Sequence, residues 1–83
     1  MTSNAASLVT AIIAQALDIP QERVQEQDSI ETIPEWDSLG HLNILSALDK
    51  QFAGEAAKIP ELAKATSVAA IVAALQRHQV LQA

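Results

Sequence analysis

Ser38 is the hydroxyl of this sequence best placed to do chemistry. It stands in Glu35-Trp36-Asp37-Ser38-Leu39-Gly40-His41-Leu42, where an acidic stretch gives way to an apolar periodicity. Asp37 or Ser38 is the N-cap of the helix that follows, since a short polar side chain there accepts an N–H bond from the first turn. A helix N-terminus carries unpaired N–H groups and the positive end of the macrodipole. A phosphoester on Ser38 would sit where those groups point. Most Asp-Ser pairs ahead of a helix are only caps, so the pair alone does not separate a cap from an attachment point.

Asp37, Ser38 and His41 also raise hydrolysis. A triad needs its base between nucleophile and carboxylate, with an oxyanion hole beside the nucleophile. Three residues within one helical turn are poorly placed for that relay. No catalytic residue is assigned, and the chain is not expected to be an enzyme. His41 and His78 with scattered acids show no metal-ligand spacing. The sequence has no cysteine, hence no thiol nucleophile, thiolate metal site or disulfide, which fits a cytoplasmic location.

The neighbours of Ser38 each have two readings. His41, one turn on, is expected at the surface beside Ser38, where partners can read it. Trp36, the only tryptophan, either anchors the end of the loop or offers a partner an aromatic contact. Leu39 is an apolar docking residue or the top of the buried seam. Gly40 costs about 1 kcal/mol relative to alanine inside a helix. It marks a close approach, by an attached group or a partner, or is incidental.

Four helical segments position these residues. Apolar residues at helical spacing (Leu8, Val9, Ile12, Ile13, Ala16, Leu17) predict a helix over 3–17, capped by Ser3 or Asn4 and ended by Pro20. Thr10 falls off this stripe. Residues 20–24 predict a single turn with Val24 inward. A long connection follows, pinned by Ile30 and Ile33, and loops of that length are often functional. Between Asp18 and Asp37 there are seven acids and one base, Arg23, which reads first as a solvated face. A helix over 38–52 has the series Leu39, Leu42, Leu45, Leu48 and Phe52 as its seam, with Leu45 among its most buried residues. Gly54 is placed for a left-handed C-cap. Pro60 starts a short helix over 60–64, docked by Ile59 and Leu62. A last helix over 67–78 is capped by Thr66 or Ser67, carries Val68, Ile71, Val72 and Leu75, and frays from Gln79 onward.

Composition bounds what such a scaffold can do. With 83 residues it is read as one domain. A domain of this size buries only about 60% of its unfolded surface, which leaves little room for a deep catalytic cleft. The formal charge of −5 argues against nucleic-acid binding. No apolar run approaches the roughly 20 residues of a membrane span. Met1 to Ser7 lacks a basic region, so no secretory signal is expected there. Scarce glycine, proline and aromatics, with no sustained alternation, predict an all-α fold.

Taken together, these residues resemble the acyl carrier proteins and peptidyl carrier domains. The resemblance rests on Asp37-Ser38-Leu39 opening the second helix after a long acidic loop. Helix one, the Ile19-Pro20-Gln21-Glu22-Arg23-Val24 turn, Ile30, Ile33 and the Ala65-Thr66-Ser67-Val68 entry to the last helix extend it over nearly the whole chain. It implies a small four-helix bundle of acyl-carrier type. It also implies a 4'-phosphopantetheine arm, derived from coenzyme A and joined to Ser38 through a phosphodiester, with Asp37 and Leu39 flanking it. The arm's thiol would hold an acyl or aminoacyl group as a thioester, which accounts for the missing cysteine. The implied partners are a phosphopantetheinyl transferase, a loading ligase, and a downstream synthase or transferase, acting on a monomer with no nucleic acid or membrane involved.

One feature departs from the fatty-acid carriers, whose second helix is usually acidic. Here only Asp49 is acidic on that helix, opposed by Lys50, and the acids lie upstream at Glu31, Glu35 and Asp37. The form is more similar to stand-alone carriers of polyketide, non-ribosomal peptide or aminoacyl-transfer pathways. The expected partner face is Glu31, Glu35, Trp36, Leu39, His41 and Asp49. The alternative is a protein-interaction module that carries no cargo and binds through the acidic loop and helix two.

Overall fold

The computed structural model describes residues 4–80. Three α-helices carry the fold: α1 (Asn4–Leu17), α2 (Ser38–Gln51) and α3 (Val68–Arg77). Short 3-10 helices occupy Gln21–Arg23, Ala56–Lys58 and Pro60–Lys64. The fold is all-helical among the described residues. Among those residues the one strand-like feature is an isolated antiparallel bridge between Ser29 and Ser67. Ser3, offered with Asn4 as the first cap, lies outside the described residues.

α1 packs against both α2 and α3, and the Pro60–Lys64 segment touches α2 and α3 as well. α1 buries Val9, Ile12, Ile13, Ala14 and Leu17, much as its stripe requires. Thr10 is buried too, against expectation. Its hydroxyl donates back to Ser7 O at 3.0 Å, so the helix satisfies the side chain internally. α3 buries Val68, Ile71, Ala74 and Leu75, with Val72 half-buried. Ser67 is its cap, accepting from Ala70 N–H at 3.1 Å.

The seam of α2 differs from the one expected. Gly40, His41, Ile44 and Leu48 are buried, Leu45 is half-buried, and Leu39 and Leu42 stand 67% and 61% exposed. The reason is rotational. An α-helix turns about 100° per residue, so a strict i+3 series slips back about 60° at each step. From Leu39 to Leu48 the slip reaches about half a turn, which puts the two leucines on opposite sides of the helix.

All three α-helices stop in the same way. Asp18, Ala53 and Gln79 adopt left-handed backbone (φ 58°, 54° and 61°). In each case the N–H one residue on returns to the helix: Ile19 to Ala14 O, Gly54 to Asp49 O and Val80 to Leu75 O, at 3.0, 2.8 and 2.9 Å. These are Schellman closures on non-glycine residues. Asp18 therefore ends α1 ahead of Pro20, and Gly54, also left-handed at φ 88°, follows the turning residue Ala53. Gln79 and Val80 close α3 rather than fray, and the rest of the tail expected to fray, 81–83, lies outside the described residues.

The long connection is ordered by its own bonds. Ile30 N–H donates to Thr66 O at 2.9 Å and Val68 N–H to Asp28 O at 3.1 Å, which clamps the loop to the entry of α3. Thr32 Oγ1 lies 2.8 Å from Asp28 Oδ1, and Gln25 N–H meets Asp28 Oδ2 at 2.8 Å. Val24 and Ile33 are buried and Ile30 half-buried, so the loop is pinned where its apolar residues fall. Ile59 and Leu62 dock the Pro60–Lys64 segment, which is a 3-10 rather than an α-helix.

Candidate functional site

Asp37 is the cap of α2: its Oδ1 accepts Gly40 N–H at 2.8 Å. That makes Ser38 the first residue of the helix rather than its cap. Ser38 is exposed, and no hydrogen bond engages its Oγ among the described residues. The Ser38 and Leu39 N–H groups belong to the first turn and have no helical acceptor. A group attached to Ser38 Oγ through a phosphoester fits this end of the helix, which offers N–H donors and a positive dipole.

A cleft of about 360 Å³ opens beside Ser38, lined by Ile30, His41, Leu42, Leu45, Ala63 and Thr66. A second hollow of about 330 Å³ shares Leu45 and Ala63 with it and runs on to Asp49, Ala56 and Ile59. The lining is mostly aliphatic, contributed by α2 on one side and the Ala56–Lys64 stretch on the other. Leu39 and Leu42 flank Ser38 as exposed apolar side chains. The halves of this cleft are far apart in sequence, so no local pattern marks Ala63 and Thr66 as site residues. The half-buried Leu45 and the exposed Ala63 line both hollows.

His41 and Trp36 are inside the molecule, 7% and 1% exposed. The surface position expected for His41 is therefore corrected, and neither ring is presented to a partner. Trp36 Nε1–H donates to His41 Nδ1 at 3.1 Å, and His41 Nε2 lies 3.0 Å from Leu62 O. The indole nitrogen can only donate, so Nδ1 must accept, and Nε2 must carry the proton and donate to the carbonyl. The two rings lie 14° from parallel with centroids 6.1 Å apart. Both nitrogens of a neutral imidazole are thereby satisfied, which is what burial of a polar ring requires.

The close approach at Gly40 comes from the protein's own chain, not from an attached group. A Cβ there would fall 2.5 Å from Glu35 O and 2.9 Å from Leu17 Cδ2. The loop end, α1 and α2 meet over this glycine, and the meeting sets where Asp37 and Ser38 emerge.

The acids expected to face partners divide. Glu31 is exposed. Glu35 is held by Arg23 through two hydrogen bonds, at 2.7 and 2.8 Å. That bonding lowers the Glu35 carboxyl below its ordinary value and raises the Arg23 guanidinium above its own. Asp49 is half-buried and its Oδ1 accepts Ala57 N–H at 3.2 Å, tying α2 to the next turn. His78 does not stand alone: its Nε2 is 2.6 Å from Glu61 Oε1, and Arg77 pairs with the same carboxylate. Glu61 is lowered from its ordinary value, first by the bond with His78. Among the described residues no group of three or more histidine, cysteine, aspartate or glutamate side chains could hold a metal, and no helix is long and apolar enough to cross a membrane. Comparison with protein-family models, with curated proteins and with solved structures gives no match for this chain.

Proposed function

We propose that this protein is a carrier, with Ser38 the attachment point of a 4'-phosphopantetheine arm. The observation that carries the reading is Ser38 itself: an exposed, unengaged hydroxyl at the first residue of α2, between a capping aspartate and an apolar cleft. Ser38 Oγ would displace the nucleotide half of coenzyme A, losing its proton as the phosphodiester forms, under a phosphopantetheinyl transferase. When bound, the arm supplies the thiol that holds an acyl or aminoacyl group as a thioester. The helix N-terminus favours the phosphodiester charge. Leu39 and Leu42 offer partner enzymes apolar contacts beside it, and the cleft bounded by Leu45 and Ala63 suits an apolar cargo.

On this reading the three α-helices and the Pro60–Lys64 segment are a four-helix bundle of acyl-carrier type. The protein is a cytoplasmic monomer that does no catalysis and passes cargo from a loading ligase to a synthase or transferase of a specialised pathway. Glu31 and Leu39 remain on the partner face, and Trp36 and His41 leave it. The test is intact mass before and after incubation with coenzyme A and a broad-specificity phosphopantetheinyl transferase. One added arm, lost in Ser38→Ala, is expected. No added mass on a folded sample would overturn the reading.

The exposure of Leu39 and Leu42 favours a second reading, a protein-interaction module without cargo. It requires that binding to a partner survive Ser38→Ala and fall in Leu39→Ala.

A further inference from the structure

We propose that His41 is a proton-operated latch holding the end of the long loop to α2. Its geometry admits only one protonation state. Trp36 Nε1–H donates into Nδ1 at 3.1 Å, while Nε2 meets Leu62 O at 3.0 Å. Adding a proton to Nδ1 sets an N–H against the indole N–H. Two donors cannot share that contact. The bond to Leu62 survives protonation, because Nε2 remains a donor. The bond to Trp36 does not, and the indole N–H, in a side chain 1% exposed, is left without an acceptor.

No charged side chain bonds to the ring among the described residues, so none compensates the added charge. The charged residues of the elements packed around it are engaged elsewhere or face solvent. On the loop, Glu35 is bound to Arg23 and Asp37 to Gly40 N–H. On the Pro60–Lys64 segment, Glu61 is bound to Arg77 and His78, and Lys64 is exposed. At the end of α1, Asp18 is exposed, and on α2 Asp49 holds Ala57 N–H while Lys50 is exposed. An imidazolium would be both desolvated and unpaired, and the low-cost response is movement of Trp36. That residue sits one position before Asp37, so its release loosens the cap that sets Ser38. The latch does not depend on what, if anything, Ser38 carries.

The experiment uses the full chain, uniformly labelled with nitrogen-15, in a His78→Gln background so that His41 is the only histidine. Near pH 8, long-range nitrogen–proton correlations should show Nδ1 bare and Nε2 protonated. The pH is then lowered stepwise until the nitrogen resonances report a proton on Nδ1 of His41 or the helices melt. The expected result is that the single indole N–H cross-peak leaves its folded position, and the emission of Trp36 shifts to the red, with the same midpoint as His41 protonation. Far-ultraviolet circular dichroism should stay constant. In His41→Gln the indole signal should not move over the same pH steps. Should that variant fail to fold, coincidence of the two midpoints in the His78→Gln protein decides the question alone. An indole signal that stays in place while His41 protonates overturns the latch. So does the opposite tautomer near pH 8, an indole signal that moves only when the helices melt, or a His41 that stays neutral until they do.

Discussion

Gly40 and Ser38 stand two positions apart under opposite demands. Ser38 points its hydroxyl at solvent and touches little, while Gly40 has the Glu35 carbonyl and Leu17 pressed against the space where a side chain would begin. Gly40→Ala gains helix propensity of about 1 kcal/mol, yet its Cβ meets backbone that cannot step aside. The net expectation is a loss of about 1–3 kcal/mol in chemical denaturation, typical of overpacking. A variant as stable as wild type would show that the contact is easily relieved. The cap and the residue that follows it should separate in the same assay. Asp37→Ala is expected to cost about 0.5–2 kcal/mol, the usual worth of an N-cap. Ser38→Ala, at the first helical residue, should stay within about 0.5 kcal/mol of wild type, as exposed substitutions do.

At the level of the element, α2 is apolar on two sides. Ile44 and Leu48 face the core, and Leu39 and Leu42 face out beside Ser38. The buried side is therefore the one that sets stability. Leu48→Ala is expected to lose about 2–5 kcal/mol, whereas Leu39→Ala and Leu42→Ala should each change stability by less than about 0.5 kcal/mol. Urea denaturation of the three variants checks this, and a large loss in Leu39→Ala would place that residue in the core after all. The helices and their caps were legible because both are local signals. The rotation of α2 was not, because with leucines on both faces its pattern supports two phases. The choice falls to α1 and the Pro60–Lys64 segment, which press on the side that carries His41, Ile44 and Leu48.

Across the whole molecule, exposed ion pairs tie together elements that are remote in sequence. Arg23–Glu35 joins the first 3-10 turn to the loop end, and Glu61 joins the Pro60–Lys64 segment to the end of α3. Glu35 and Glu61 both lie below the ordinary value of 4.5 because their partners favour the ionised form. A carboxyl lowered on folding adds stability that is present above its unfolded value and lost as pH falls through its folded one. Wild type is thus expected to lose stability as the pH drops below about 4.5, and Glu35→Gln/Glu61→Gln to lose less over that interval. Thermal unfolding at stepped pH measures the difference. Parallel curves would mean that these pairs contribute nothing through protonation, as solvent screening can bring about.

By itself the sequence determined that this chain is helical, where each helix begins and ends to within a few residues, and that an aspartate and a serine open the second one. It could do so because helix period, capping and turn residues are set by neighbours within about one turn along the chain. Tertiary structure alone decided which side of α2 is buried, and that His41 and Trp36 bond to each other inside rather than wait at the surface. It also decided that Gly40 makes way for a carbonyl and that Leu45 meets Ala63 in a cleft beside Ser38. Each of these depends on surfaces brought together from distant parts of the chain. In a sequence that is 49% hydrophobic, more than one such arrangement satisfies the local pattern. Packing chooses the one that leaves no buried polar side-chain atom unpaired among the described residues.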